Sequence, residues 1–189
     1  MEYFDLVDAE GMPTGEMISR EEAHRLGLPH RTTHTWVIRR KDGRRQAQLQ
    51  KRSDSKDSWP GRFDTSSAGH IPAGAEPLDS ALRELAEELG IRAEPEDLTY
   101  AGKFRVGFEE PFHGALFRDD EIAWVYVYDK PVEAEALQLQ AEEVSAGAWF
   151  DVEALKKFVA EQDPRFCVTP AAVRCTGACR RKPAFISRL

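Results

Sequence analysis

Three glutamates, Glu84, Glu87 and Glu88, recur at the i, i+3 and i+4 spacing that places side chains on one face of a helix. Glu84 and Glu88 are like charges one turn apart, and they lie toward the carboxyl end of the predicted helix, where the dipole disfavours anions. A divalent cation would reverse both penalties, because hard cations such as Mg²⁺ bind carboxylate oxygens together with substrate phosphates. The alternative is an ordinary solvated acidic face.

The segment before these glutamates is a loop rich in glycine and proline that includes Gly69. Glycine permits close backbone approach, so we expect this loop to lie near the same cation and substrate. The helix is predicted over Leu78–Leu89, since Pro77 suits a first turn and Gly90 suits the position after the end. Its predicted buried face consists of Leu78, Ala81, Leu82, Leu85 and Leu89.

The surrounding pattern alternates strands and helices, which is typical of an α/β domain with helices packed on a mixed sheet. Two short strands are predicted in YFDLVDAEGMPTGEM, and a helix with N-cap Ser19 in SREEAHRLG. A hairpin should turn at Asp42-Gly43, and a long polar loop should follow it. Further strands are predicted in LTYAGKFRVGF, EIAWVYVYDK and SAGAWFDV, and a last helix with N-cap Asp151 in VEALKKFVAEQ.

Composition limits the class of partner. The 189 residues are 41% hydrophobic, enough for a core, and carry a formal net charge of -7. That charge disfavours nucleic-acid polymers and anionic membranes, so any anionic substrate must be met by a local cluster of Lys and Arg. No apolar run approaches the roughly 20 residues of a membrane span, and the N-terminus lacks a signal pattern, so we expect a cytoplasmic protein. A homodimer is left open.

Cysteine and basic residues mark the end of the chain. Cys167, Cys175 and Cys179 are an odd set confined to the last 23 residues, which is a poor disulfide framework. Incidental thiols are favoured over a zinc site. The segment from Pro164 to Leu189 carries basic residues and no Asp or Glu, and a solvated charge run is its favoured interpretation.

The glutamate helix and its loop resemble the Nudix box, G-x5-E-x7-R-E-U-x-E-E-x-G-U, where U is bulky and aliphatic. One fixed position departs from the pattern, because the loop glutamate falls on Ala75. A catalytically degenerate binding module is therefore one alternative. The matching residues are Gly69, Arg83, Glu84, Leu85, Glu87, Glu88, Gly90 and Ile91.

Outside the box, the chain resembles the isopentenyl-diphosphate-isomerase-like branch of the Nudix superfamily from about Phe4 to Phe158. The resemblance implies an α/β/α sandwich with a mixed sheet, a Mg²⁺ or Mn²⁺ cofactor, and hydrolysis of a diphosphate linked to another moiety. A nucleoside diphosphate derivative is the default substrate, and a prenyl diphosphate is the alternative. Residues 1–163 would form the Nudix hydrolase domain, and residues 164–189 a basic, cysteine-containing tail. The branch resemblance lies in DLVDAEGMPTGE, EEAHRLGLPHR, QKRSDSKDSWPGRFDTSSAGH and DDEIAWVYVY.

Site residues follow from the resemblance position by position. Glu84, Glu87 and Glu88 would be metal ligands, with Gly69 in the same metal site. One of these glutamates, or a carboxylate beyond the box, would help to deprotonate the attacking water. Arg83 would orient a glutamate by a charge-assisted hydrogen bond.

Three further charged residues are expected in the site. Arg52 and Lys56 match the diphosphate-binding pair of the branch, although solvated loop charges are the alternative. The additional catalytic carboxylate aligns best with Glu121, and Asp119 is the second choice. Glu143 is a weaker candidate for positioning water. The aromatic residues that could stack on a base, or serve as core anchors, are Trp36, Phe63, Phe104, Phe108, Phe112 and Phe117.

Isomerase chemistry is the second alternative. The isomerases need a cysteine just before the Gly-His that opens the box, and that position is Ala68, whose methyl group can neither protonate nor deprotonate carbon. They also use histidine ligands, and the spacing of His24, His30, His34 and His70 does not clearly reproduce that set. We therefore expect diphosphate recognition without isomerisation.

Overall fold

The computed structural model describes residues 2–132 and 137–177. The strands in these ranges are β1 (Tyr3–Val7), β2 (Pro13–Ser19), β3 (His30–Lys41), β4 (Arg44–Arg52), β5 (Phe63–Asp64), β6 (Ser67–His70), β7 (Leu98–Phe112), β8 (Ala115–Tyr128) and β9 (Val144–Asp151). The helices are α1 (Arg20–Leu26), α2 (Pro77–Leu89), α3 (Val152–Ala160) and α4 (Pro170–Cys175), with a 3-10 turn at Pro95–Asp97.

Seven of the strands form one mixed sheet, as predicted. Its main path runs β5-β4-β3-β8-β7, with β6 paired to β3 and β9 to β4, while β1 and β2 form a separate two-stranded sheet. The pairing of β3 with β8 is parallel, from His30 opposite Glu121 to Val37 opposite Tyr128. The other pairings in the sheet are antiparallel.

Helices cover both faces of this sheet. Trp36 and Ile38 of β3 share a buried cluster with Leu155 of α3, whereas Val37 lies in a second cluster with Leu85 of α2. Since successive side chains of a strand point to opposite faces, the two clusters lie on opposite sides of the sheet. The predicted α/β/α sandwich is confirmed.

Local signals explain where the elements begin and end. The Ser19 hydroxyl accepts a hydrogen bond from the Glu22 N–H at the start of α1, and the Asp151 carboxylate caps α3. Asp42 and Gly43 both have positive φ, 50° and 73°, as expected for a tight turn between β3 and β4. Gly90 is left-handed after α2.

Two regions differ from expectation. The long polar loop contains β5 and β6, and β6 carries Gly69 into the sheet. The described part of the predicted tail packs on the domain, because Phe166 and Val173 belong to the cluster around α3. The 163/164 boundary stays a prediction, and Cys179 with the basic residues after it lies outside the described residues. None of the helices in the described ranges is long and apolar enough to cross a membrane.

Candidate active site

One cavity of about 1060 Å³ is lined by every residue that the sequence predicted for the site. These residues come from β4 and the loop after it, from β6, from α2 and from β8, so that only the folded sheet brings them together. They are Arg52, Lys56, Gly69, Arg83, Glu84, Glu87, Glu88 and Glu121.

The three glutamates of α2 differ in exposure. Glu88 is 2% exposed, and its Oε2 accepts hydrogen bonds from the Ala68 N–H at 3.0 Å and from Gln50 Nε2 at 3.4 Å. The Glu84 side chain is 13% exposed, whereas that of Glu87 is 52% exposed. Glu84 and Glu88 therefore form the inner part of the acidic face, and Glu87 forms its solvent edge.

Arg83 connects this acidic face to β6. Its guanidinium lies 2.7 Å from the Glu84 carboxylate and 3.1 Å from that of Glu87, and it donates to the His70 carbonyl at 3.3 Å. The contact with Glu87 joins residues one helical turn apart. The geometry is suited to orienting both carboxylates, since a guanidinium presents several donors in a fixed plane.

Position 69 requires a glycine because the Glu84 carboxylate lies too close to leave room for a side chain. A Cβ built on Gly69 would lie 2.2 Å from Cδ and Oε1 of Glu84, closer than side-chain atoms can approach. The absence of a side chain therefore allows the Glu84 carboxylate to lie directly against β6. This contact places the Gly69 backbone beside the predicted metal site.

Burial disfavours the negative charge of the inner glutamates. Burial raises the pKa of Glu84, against the opposing effect of Arg83. Burial, followed by the nearby Glu84, raises the pKa of Glu88 to about 8. A cation would stabilise both carboxylates in the charged form, so this pair fits an oxygen-binding divalent cation such as Mg²⁺ or Mn²⁺.

A second cluster borders the same cavity, and it brings together histidines whose spacing in the sequence did not clearly reproduce a ligand set. Ligand atoms of His24, His30 and His70 lie within 4.8 Å of one another, and so do those of His30, Asp119 and Glu121. Across the described residues these are the two sets of at least three side chains with that closeness. We call these five residues the histidine–carboxylate cluster.

Strand pairing assembles this cluster. The parallel register sets His30 of β3 opposite Glu121 of β8, and β6 pairs with β3 so that His70 lies opposite Thr32. Each carboxylate lies beside an imidazole ring. Asp119 Oδ1 is 3.6 Å from His30 Nε2, and Glu121 Oε1 is 3.7 Å from His70 Nε2. Both choices for the additional carboxylate therefore face the cavity.

The electrostatics of the cluster favour metal ligation. Burial lowers the pKa of His24 to about 4 and holds that of His70 well below its ordinary value, so both rings are neutral near pH 7. Burial, together with Glu121, raises the pKa of Asp119 to about 9. Burial also disfavours charge on Glu121, but the contacts with His34 and His70 outweigh it and lower the pKa.

Unpaired ligand atoms support the same conclusion. The Nε2 atoms of His24, His30 and His70, together with Asp119 Oδ1, are buried and have no hydrogen-bond partner among the described residues. Neutral imidazole nitrogens and carboxylate oxygens are ligands for divalent transition metals. The cluster therefore fits a bound cation as well as the glutamate pair does.

The predicted diphosphate-binding residues already have protein partners. Arg52 donates to Asp64 at 2.9 Å and to the Ser58 carbonyl at 2.9 Å, and the acidic partner raises its pKa despite burial. Lys56 forms an ion pair with Glu143, the weaker candidate for positioning water. Both cations line the cavity, each beside an acid.

Aromatic residues form another wall of the cavity. Phe104, Phe108 and Phe117 line it, as does Trp59, which the sequence analysis overlooked. Trp36 is fully buried in the core, in agreement with its alternative interpretation as an anchor. Trp59 has a positive φ of 49° and lies in a loop that contains a Pro-Gly pair. A loop residue has no hydrophobic periodicity by which the sequence could reveal it.

A family profile decides the classification. The profile of the NUDIX domain matches residues 29–168, a span that includes the glutamate helix, Gly69 and most of the sheet. The chain belongs to the Nudix family. As a Nudix hydrolase, it is an enzyme of the class that acts on diphosphate bonds.

Curated relatives agree with this assignment. The chain is 41% identical to Nudix hydrolase 3 of Arabidopsis thaliana over 87% of its own length, but it spans about 21% of that protein. It is 37% identical to a Nudix hydrolase of Clostridium acetobutylicum, covering 84% of this chain and 74% of that one. An isopentenyl-diphosphate Delta-isomerase of Escherichia coli is 29% identical, over 82% and 79% of the two chains.

The fold of this Nudix hydrolase also occurs among solved structures. The crystal structure of DR0079 from Deinococcus radiodurans matches it with a TM-score of 0.63, covering 92% of this chain and 98% of that chain. The sequence identity of the pair is 21%, so the match concerns the fold alone. It supports the α/β/α arrangement that brings α2 and β6 together.

Proposed function

We propose that this Nudix hydrolase cleaves the diphosphate linkage of a nucleoside diphosphate derivative or a related organic diphosphate, with Mg²⁺ or Mn²⁺ as cofactor. One observation carries the proposal: the buried carboxylate of Glu88 and the partly buried one of Glu84 share a cavity with two cations, Arg52 and Lys56. Burial raises the pKa of both acids, so a bound cation would stabilise their charged form. Arg and Lys side chains would in turn bind the negatively charged diphosphate.

The chain would hold the cofactor through residues of α2 and β6. Glu84 and Glu88 would supply carboxylate oxygens, and Glu87 would do so at the solvent edge, with Gly69 against the Glu84 carboxylate. Arg83 would keep Glu84 in place by its contact at 2.7 Å. When bound, the cation would neutralise charge on the diphosphate oxygens and acidify the attacking water.

The histidine–carboxylate cluster would hold a second cation beside the same cavity. Glu121 and Asp119 would provide its negative charge, and His24, His30 and His70 its nitrogen ligands. Several carboxylates around one cavity would let one of them accept the proton of the attacking water. Bound substrate would exclude bulk water from this space, which strengthens the electrostatic contacts inside it.

Arg52 and Lys56 would bind the diphosphate by different means. The Arg52 guanidinium is fixed by Asp64 and Ser58, so it would donate its remaining N–H groups without a change of conformation. Lys56 would exchange Glu143 for a phosphate oxygen, because a flexible ammonium can reorient at small cost. The aromatic wall would then contact the organic moiety.

Isomerisation of an allylic diphosphate is a second candidate, and the histidine–carboxylate cluster together with the isomerase relative favours it. Ala68 argues against it, since its methyl group lines the cavity where the isomerases have a cysteine. Cys167 also lines the cavity, but burial near Asp64 holds the pKa of its thiol well above the ordinary value, and its S–H group faces the Phe63 carbonyl.

The experiment is a phosphate-release screen with Mg²⁺ and Mn²⁺ over nucleotide sugars, dinucleotides, oxidised nucleotides and prenyl diphosphates. Glu88→Gln should reduce turnover by about 100-fold or more, while Glu153→Gln on the exposed surface of α3 should leave it unchanged. Full activity in Glu88→Gln would overturn the proposal. Solvent-deuterium incorporation without phosphate release would favour isomerisation, and binding without product would favour a degenerate module. A cytoplasmic location and a homodimer stay predictions.

A further inference from the structure

The loop that joins β6 to α2 is fixed by an ion pair outside the cavity. Arg31 Nη2 of β3 lies 2.7 Å from Asp5 Oδ2 of β1 and donates to the Ala75 carbonyl at 3.1 Å. The same Asp5 oxygen accepts the Gly74 N–H at 2.9 Å. Two charged side chains thus hold two successive residues of the loop, and neither lines the cavity.

Backbone contacts hold the same loop at its beginning. The Ile71 N–H donates to the Arg31 carbonyl at 3.0 Å, and the Ala73 N–H donates to the Tyr3 carbonyl at 2.8 Å. Arg31 therefore contacts both ends of the loop, through its main chain at Ile71 and its side chain at Ala75. The path from β6 to the first turn of α2 is determined by β1 and β3.

The start of α2 lacks the usual means of fixing a helix terminus. The residue at its N-cap is Glu76, whose side chain makes no capping hydrogen bond, and Pro77 follows it without an N–H. The Nudix pattern has its loop glutamate at Ala75, where this chain has only a methyl group. A contact from elsewhere has to set the position of the helix start.

We propose that Asp5 and Arg31 are positioning residues that fix the loop between β6 and α2. Through this loop they set the distance between Gly69 and His70 on β6 and Glu84 and Glu88 on α2. The proposal rests on the proposed function only where it concerns metal binding. The contacts of Asp5 and Arg31 with the loop do not depend on a metal.

The burial of the pair supports a fixed geometry. Arg31 is 6% exposed and Asp5 is 9% exposed, so water does not compete strongly for their charges. Removing one partner leaves a buried charge unpaired, whereas replacing both by apolar residues of similar volume often preserves stability. Arg31→Met removes the ion pair and the Ala75 contact but leaves the Asp5 charge buried, whereas the double variant Asp5→Leu/Arg31→Met also removes the Gly74 contact and leaves no unpaired charge.

The test compares these variants with Arg105→Met, which removes an arginine from an exposed ion pair with Asp120 on the β7–β8 hairpin. Amide hydrogen exchange in the 71–76 loop of the metal-free protein measures how often the loop opens, without substrate or cation. We expect exchange about tenfold faster or more in the double variant, with α3 unchanged. Mn²⁺ affinity, measured by electron paramagnetic resonance, should weaken roughly 10- to 100-fold.

A kinetic comparison separates positioning from general destabilisation. Once a hydrolysed substrate is known, kcat should fall in the double variant while KM stays near that of the parent, because Arg52 and Lys56 are held by other contacts. Unchanged loop exchange or unchanged Mn²⁺ affinity in the double variant would overturn the proposal, and so would equal effects in Arg105→Met. Inactivity of the parent chain would count against the proposed function alone, since loop exchange and Mn²⁺ binding are read without turnover.

Discussion

The Glu88 carboxylate accepts a hydrogen bond from the Ala68 N–H at 3.0 Å. This contact ties the proposed metal-binding face of α2 to Ala68, the strand position that corresponds to the cysteine of the isomerases. The carboxylate is nevertheless almost fully buried, and one N–H and one amide donor at 3.4 Å do not replace its hydration. Its raised pKa is the result, and it has a consequence for stability.

The Glu88 carboxyl should contribute a loss of stability to the metal-free protein as the pH rises. The pKa of Glu88 is about 8 in the folded chain against an ordinary value of 4.5, so between these values the folded state holds a proton that the unfolded state has released. The free energy of unfolding then decreases by at most about 1.4 kcal/mol per pH unit. Urea unfolding in EDTA should show a smaller decrease for Glu88→Gln between about pH 5 and pH 8. Equal slopes would contradict this explanation.

Gly69→Ala should weaken metal binding more than it weakens folding. The new Cβ would meet the Glu84 carboxylate, which is the flexible end of a side chain and can turn away. We expect Mn²⁺ affinity to drop by roughly 10- to 100-fold, with a change in unfolding free energy below about 1 kcal/mol.

Gly177→Ala is the matched control for this substitution, because a Cβ there would come no closer than 3.4 Å to its neighbours. Its metal affinity should equal that of the parent. If Gly69→Ala binds Mn²⁺ normally, then the Glu84 carboxylate is not a ligand in the position that the structure shows.

Sequence patterns predicted the parts of this site that depend on neighbours along the chain. The α2 glutamates, Gly90 and the box loop follow from a single helical period and its end signals. The sequence did not predict that His24, His30 and His70 lie together. They belong to α1, β3 and β6 and meet only through strand register. Register between distant strands leaves no local periodicity to detect.

The end of the chain shows a related limit. Basic residues without any acidic residue suggested a solvated run there, whereas Phe166, Val168, Ala172 and Val173 of the same segment pack in the core around α3. Short apolar groups separated by a proline do not form a recognisable helix face over six residues, which is the length of α4. The apolar residues of this segment therefore predict its packing better than its charges do.

The two proposed cation sites predict two independent losses of bound metal. His24→Gln should remove one equivalent of Co²⁺, which binds imidazole well, while Glu88→Gln should affect the other site. Elemental analysis after buffer exchange gives the stoichiometry. His113→Gln is the control, because His113 is exposed on the hairpin and lies outside the cluster. Two equivalents retained in His24→Gln would mean that the cluster does not bind the metal.

Lys56→Met should raise KM about tenfold and leave kcat nearly unchanged, since a phosphate contact made equally in the ground state and the transition state contributes to binding alone. Steady-state phosphate release measures both constants. Lys157→Met removes the same charge from the exposed side of α3 and should change neither. A fall in kcat without a change in KM would instead place Lys56 against charge that develops during the reaction.

Ala75→Glu should change kcat by less than about threefold. The Ala75 backbone is already fixed, because its N–H donates to the Pro72 carbonyl at 3.0 Å and its carbonyl accepts from Arg31 at 3.1 Å. A glutamate side chain would add charge at the loop without changing the path into α2. Glu76→Gln tests the neighbouring acid in the same assay, and we expect a similarly small effect because Glu76 makes no capping bond. A rise from undetectable to full activity in Ala75→Glu would show that the loop glutamate is needed and that the parent chain is a degenerate module.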